Sequence, residues 1–301
     1  VRVLADKQLS AGLLGWTDWL LKGDLNFLWA RWCADSIVDP QRYLRNGTFP
    51  IFFADVRRGV GSFDLRLPQD EVDKVAAELA RVLWRRIELA RRSARRPISQ
   101  DDRQELWDLA GPTPRCWMCG FRFPPAARRR FLRTEGDRDA VLPEFIDALR
   151  PRGLRGRDVL VEVDHVVAVA AGGRADANLR LACGWCNAAK SSHSLLYDVS
   201  GQLRVLALPS GRKLSLPQPF WVARLLAVRG RCEHSGGCAA KTTNAELSVA
   251  PINPLGAPTP TNLWVCCSNH DPLPIDDRLF PRAALLAART SDSAGSIPTP
   301  A

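Results

Sequence analysis

The sequence predicts an α+β fold built in three units, and three observations carry the prediction. A long stretch before residue 110 has helical hydrophobic periodicity. After it, short alternating runs bounded by Gly, Pro, Asn and Ser read as strands. Two Cys-x-x-Cys pairs, Cys116–Cys119 and Cys183–Cys186, frame the middle of that region, and this spacing lets four thiolates grip one tetrahedral ion from two tight turns.

The elements follow in order. Leu13–Trp32 reads as one or two core helices rich in Leu and Trp, and Cys33 as a small core residue. Phe49–Ala54 and Val60–Leu67 read as strands of a hairpin around Arg57-Arg58-Gly59. Pro68 opens a long helix with Asp70 and Glu71 in its first turn. Val72, Val75, Ala76, Leu79, Val82, Leu83, Ile87 and Ala90 form its apolar stripe, and Arg81, Arg85, Arg92, Arg95 and Arg96 lie opposite, as a solvated face or a track for phosphates. The stretch of about 121–157 is an insertion carrying Arg128-Arg129-Arg130, Arg133 and a short helix over Pro143–Arg150. Val161–Val167 alternates as a strand, Gly172-Gly173 turns the chain, and Asn187–Leu196 should be helical. Leu203–Leu208 and Lys213–Leu216 form a hairpin around Pro209-Ser210-Gly211. Residues 288–301 form a disordered tail.

At 46% hydrophobic and 25% charged, the 301 residues have the balance of a soluble globular chain. The net charge of +10, mostly arginine, favours a polyanionic partner. The apolar stretch near the start is broken by Asp18, Lys22, Asp24 and Arg31, which speaks against a membrane span or signal peptide and for a cytoplasmic protein. In a reducing compartment, nine cysteines point to metal ligands rather than disulfides.

An internal repeat is present. Asn178-Leu179 through Cys183 and Cys186 lines up with Asn262-Leu263 through Cys267 and His270, and Gly172 falls on Gly256. At that constant offset Asp164 and His165 fall on Ser248 and Val249. A second zinc set is therefore Cys232, Cys238, Cys267 and His270, with His234 or Cys266 as alternative members.

Cys116-Trp117-Met118-Cys119, Asp164-His165, Gly172-Gly173, Asn178-Leu179 and Cys183-Gly184-Trp185-Cys186-Asn187 with Lys190 occur in one order. In this order they resemble the HNH endonucleases of the subtype with four zinc-binding cysteines, whose core is a ββα-metal finger; the likeness covers Cys116–Leu196 and extends more weakly to His270. The resemblance implies His165 as general base, Asp164 and Asn187 as oxygen ligands of a catalytic Mg²⁺ or Mn²⁺, Asn178 as the brace that orients His165, and Lys190 beside phosphate. It also implies structural Zn²⁺ at Cys116, Cys119, Cys183 and Cys186, and a second copy without catalytic residues.

The expected domains are 1–110, mainly helical with a hairpin and serving DNA binding or dimerisation, 111–200 with the motif set, and 201–287 with the second zinc set. The expected activity is hydrolysis of double-stranded DNA to 5′-phosphate and 3′-hydroxyl ends by a restriction or phage-defence nuclease, as a homodimer or with a defence-complex partner. The alternative is a non-cleaving, zinc-organised nucleic-acid-binding or assembly protein.

Overall fold

The computed structural model describes residues 19–63, 66–92, 98–133, 141–166, 178–207, 213–272 and 278–287. The chain divides into two units, residues 1–97 with 165–178 and residues 98–164 with 179–301. It is a mixed α+β protein of helices and small antiparallel sheets. No helix among the described residues is long and apolar enough to cross a membrane.

The first unit contains helices α1 (Trp19–Ile37), α2 (Phe49–Gly61) and α3 (Gln69–Arg92). The expected hairpin is corrected here, because its first strand and its turn are helix α2. Pro50 in the first turn presets a helical φ, and Phe52, Val56 and Val60 recur every four residues and are all buried. They pack on Val72, Ala76, Ala80, Leu83 and Ile87 of α3. Val75 and Val82, placed in the stripe by sequence, are instead exposed. Arg57 of α2 grips Asp73 of α3 through two bonds of 2.7 and 2.8 Å, which holds that carboxyl below its usual range. On α1, Trp29, Trp32 and Cys33 are exposed, so the core assignment fails for them. Of the arginine face, Arg81 pairs with Glu78 of its own helix and Arg85 is exposed, while Arg95 and Arg96 lie outside the described residues. So do residues 13–18, Gly172-Gly173, Pro209-Ser210-Gly211 and the tail.

The second unit begins with α4 (Gln100–Leu109). Ser99 Oγ accepts from Asp102 N at 3.0 Å and the Asp102 carboxylate accepts from Ser99 N at 2.8 Å, a reciprocal cap. Trp107 of α4 packs at a tilt against the rings of Phe123 and of Phe131 of α5 (Pro125–Phe131). The helix expected over 143–150 is a correction too. Phe145–Asp147 is strand β1, paired antiparallel with β8 (Leu279–Pro281).

Strands β2 (Val161–His165) and β3 (Leu179–Cys183) pair, and helix α6 (Gly184–Lys190) follows without a break. The helix is shorter than expected because Ser191, at φ 48, stops it after Lys190. β4 (Arg204–Ala207) and β5 (Lys213–Leu216) form the hairpin read from sequence. Then come α7 (Pro219–Arg229), which buries Phe220, Trp221 and Leu226, and the pair β6 (Leu247–Pro251) and β7 (Leu263–Cys267).

Candidate metal centres and active site

The two cysteine groups are built by the same local structure used twice. Arg115 bridges to Arg122 and Arg231 to Lys241, closing two knuckles. Cys116 N donates to Phe121 O, and Cys232 N to Ala240 O, both at 2.9 Å. Each knuckle then bonds the strand that brings the remaining ligands, through Trp117 N to Leu181 O and Glu233 N to Val265 O, again both at 2.9 Å.

Four ligand atoms converge in each group. Those of Cys116, Cys119, Cys183 and Cys186, and those of Cys232, Cys238, Cys267 and His270, lie within 4.8 Å of one another. None of these cysteines is in a disulfide. Sulfurs bound tetrahedrally to zinc at about 2.3 Å stand about 3.8 Å apart, and a sulfur and an imidazole nitrogen about 3.5 Å apart. Cys119 and Cys183 Sγ are 3.9 Å apart, as are Cys238 and Cys267 Sγ. His270 Nδ1 lies 3.5 Å from Cys232 Sγ and 3.4 Å from Cys267 Sγ. Both groups could hold zinc.

The alternative ligands stand aside for physical reasons. Adjacent strand residues face opposite ways, so Cys266 turns from the group that Cys267 joins and lies 3.6 Å from Ser248 Oγ. Burial, and then the Asp271 charge, pushes its thiol up to about 12. His234 stacks on His270 at 3.9 Å and orients that ring. At Cys119 burial opposes ionisation, but hydrogen bonds from the other three thiols and the Arg150 charge hold that thiol well below the usual thiol range. Arg152 Nη1 also stands 3.5 Å from Cys119 Sγ, a support for a bound ion that the sequence places only inside the insertion.

The strand ladders correct the alignment of the repeats. Gly184 N to Leu160 O and Val166 N to Asn178 O set one register, and Ile252 N to Asn262 O with the Leu247–Cys267 pairing sets its counterpart. On these ladders Asp164 and His165 match Ala250 and Pro251, because the loop between the strands is two residues shorter in the second copy. Ser248 and Asp271 instead match Glu162 and Asn187. Asn187 Nδ2 donates to Glu162 Oε2 at 2.6 Å, and Ser248 Oγ donates to Asp271 Oδ2 at 3.2 Å. In the second copy that position is locked by Arg278, which pairs with Asp271 and with Asp147. Asn262, the counterpart of Asn178, braces its loop by accepting from Asn253 N and donating to the Asn253 and Ala257 carbonyls.

The candidate catalytic residues lie around β2. His165 ends the strand and is half-buried, and Asn178 directly precedes β3. Asp164 is 4% exposed. Its carboxylate accepts from Lys190 Nζ at 2.8 and 3.0 Å and from Trp117 Nε1 at 3.1 Å. Glu162, two residues back on the same strand face, is gripped by Arg157 as well as by Asn187. Lys190, expected beside phosphate, thus stands at Asp164, and Asn187 bonds Glu162. As placed, these side chains do not form an open oxygen cage for Mg²⁺ or Mn²⁺. The sequence motifs do not include Trp117 or Glu162 as site residues, although period-two strand spacing puts Glu162 on the face of Asp164.

No protein-family model, no curated protein and no solved structure matches this chain.

Proposed function

We propose that the chain is an HNH-type endonuclease that hydrolyses double-stranded DNA to 5′-phosphate and 3′-hydroxyl ends, in restriction or phage defence. One observation supports this most. Asp164-His165 closes a strand whose partner leads straight into the helix bearing Asn187, and a buried four-cysteine group fixes that strand–helix junction. The net charge of +10 favours a nucleic-acid partner.

In this reading the two cysteine groups carry structural zinc, which supplies folding energy to small sheets. His165 accepts the proton of the attacking water on a neutral imidazole nitrogen. Asn178 braces the β2–β3 loop, as Asn262 does in the second copy. A bound Mg²⁺ or Mn²⁺ would supply Lewis-acid stabilisation of the scissile phosphate. The test is to digest phage and plasmid DNA with zinc-loaded protein and map the ends. Uniform 5′-phosphate and 3′-hydroxyl ends are expected, and intact DNA or 3′-phosphate ends refute the reading.

The closed pair of Asp164 with Lys190 favours a second reading, a zinc-organised nucleic-acid-binding or assembly protein that does not cut. It predicts DNA retention, or a stoichiometric protein partner, with no cleavage under any divalent cation.

A further inference from the structure

Asp164 is nearly sealed from water, and both of its oxygens lie within hydrogen-bond distance of the Lys190 ammonium. Trp117 closes one of them further. Beside it, the Glu162 carboxylate faces Arg157. The two acids of this strand face are therefore matched by two cations. A divalent ion entering while Lys190 stays would put three positive charges beside one buried carboxylate, where repulsion is poorly screened.

We infer that Lys190 is the resident cation of the Asp164 site, and that a divalent cation engages Asp164 only when a phosphodiester draws the ammonium away. The chemistry suits a mobile counter-ion. A lysine ammonium is a compact charge on a flexible stem with three donors, and phosphate oxygens accept it as readily as a carboxylate does. Lys190 is the last residue of α6, where the helix already ends at Ser191. The phosphate that takes Lys190 also leaves the acid bare for the ion. Divalent cation and DNA then bind with positive coupling, and the free protein is protected from adventitious divalent binding. The inference rests on the nuclease reading for its ligand class, but its test needs no cleavage.

The test is Mn²⁺ binding to the zinc-loaded full chain without DNA, read from the electron-paramagnetic signal of free Mn²⁺. The wild type should bind weakly. Lys190→Gln, which keeps a donor beside Asp164 but removes the charge, should bind about tenfold tighter or more. Lys190→Arg should stay weak, and Asp164→Asn in the Lys190→Gln background should lose the gained site. A short DNA duplex should tighten Mn²⁺ binding strongly in the wild type and much less in Lys190→Gln. Lys190→Met, an apolar stem of similar volume, asks the same question if Lys190→Gln loses zinc. Mn²⁺ binding no tighter without the Lys190 charge overturns the inference. Cleavage by the same samples separates the two claims: activity with unchanged Mn²⁺ affinity sinks the gating alone, and the predicted affinities without cleavage sink the nuclease reading alone.

Discussion

Gly120 of the first knuckle packs directly on the second repeat. Its φ is +72°, and a Cβ there would stand 1.9 Å from the Ala245 carbonyl oxygen. Alanine in that left-handed conformation costs about 1–2 kcal/mol by itself. To restore ordinary contact at 3.4 Å, the Ala245 carbonyl must retreat from 1.9 Å, by 3.4 − 1.9 = 1.5 Å. That retreat strains the Leu247 N to Cys119 O bond of 2.9 Å and the Arg150 and Arg152 pairs with Glu246. Losing one such buried bond adds about 1–3 kcal/mol. Gly111 is the internal control, with φ +75° and no atom within 4 Å of the place a methyl carbon would take. Gly111→Ala should therefore carry the backbone cost alone, and Gly120→Ala about 1–3 kcal/mol more. Urea unfolding of the zinc-loaded protein, followed by tryptophan fluorescence, reads the difference. Equal midpoints for the two variants would refute the close docking of the repeats.

The other predictions concern metal, charge and pH. Elemental analysis should give two zinc ions per chain; Cys183→Ser should lose one and unfold its repeat, while Cys266→Ser, which faces Ser248, should keep both. Changing Arg81, Arg85, Arg92 and Arg96 together to Gln should weaken DNA binding and flatten its salt dependence, and an unchanged slope would mean that the face is only solvated. Burial, with the Asp55 hydrogen bond, raises Tyr43 from 10.0 to about 12, so the folded state favours the neutral phenol. Its stabilisation is whole below about pH 10 and is lost as pH climbs toward 12; circular dichroism across that window should show an alkaline transition that Tyr43→Phe alters, and identical curves would contradict the assignment.

The cysteine groups are legible in the sequence because their spacing is a local, covalent constraint, and the geometry of both sets follows it. Helix α2 reads as strand because Phe49–Gly61 is rich in aromatic and β-branched residues, while the four-residue recurrence of Phe52, Val56 and Val60 is a weaker signal. Strand β1 depends on a partner at Leu279–Pro281, a pairing that no local pattern announces. The repeat is visible through Asn, Leu and Cys, but the shorter loop of the second copy shifts the first strand against a constant offset, which matches Asp164 to Ser248. The ladder assigns it to Ala250. Lys190 stands out in the sequence, yet its position at Asp164 depends on a contact across 26 residues that only folding brings about.

If the chain is a nuclease, the repeat accounts for chemistry in the first copy alone. Ala250 and Pro251 offer neither a carboxylate nor an imidazole, and the Arg278 pairs with Asp271 and Asp147 fill the neighbouring space with a buried ionic lock. Insertion residues Arg150 and Arg152 tie the copies together through Glu246. Leu247 N of the second copy also donates to Cys119 O of the first knuckle, whose Trp117 reaches Asp164.

The most direct test of the nuclease reading compares wild-type protein with His165→Ala on supercoiled plasmid in Mg²⁺ or Mn²⁺, with zinc content and DNA retention measured on the same samples. The account predicts that the wild type nicks and linearises the plasmid, and that His165→Ala keeps its zinc and its DNA binding but leaves the plasmid supercoiled. Cleavage by His165→Ala at the wild-type rate would contradict it.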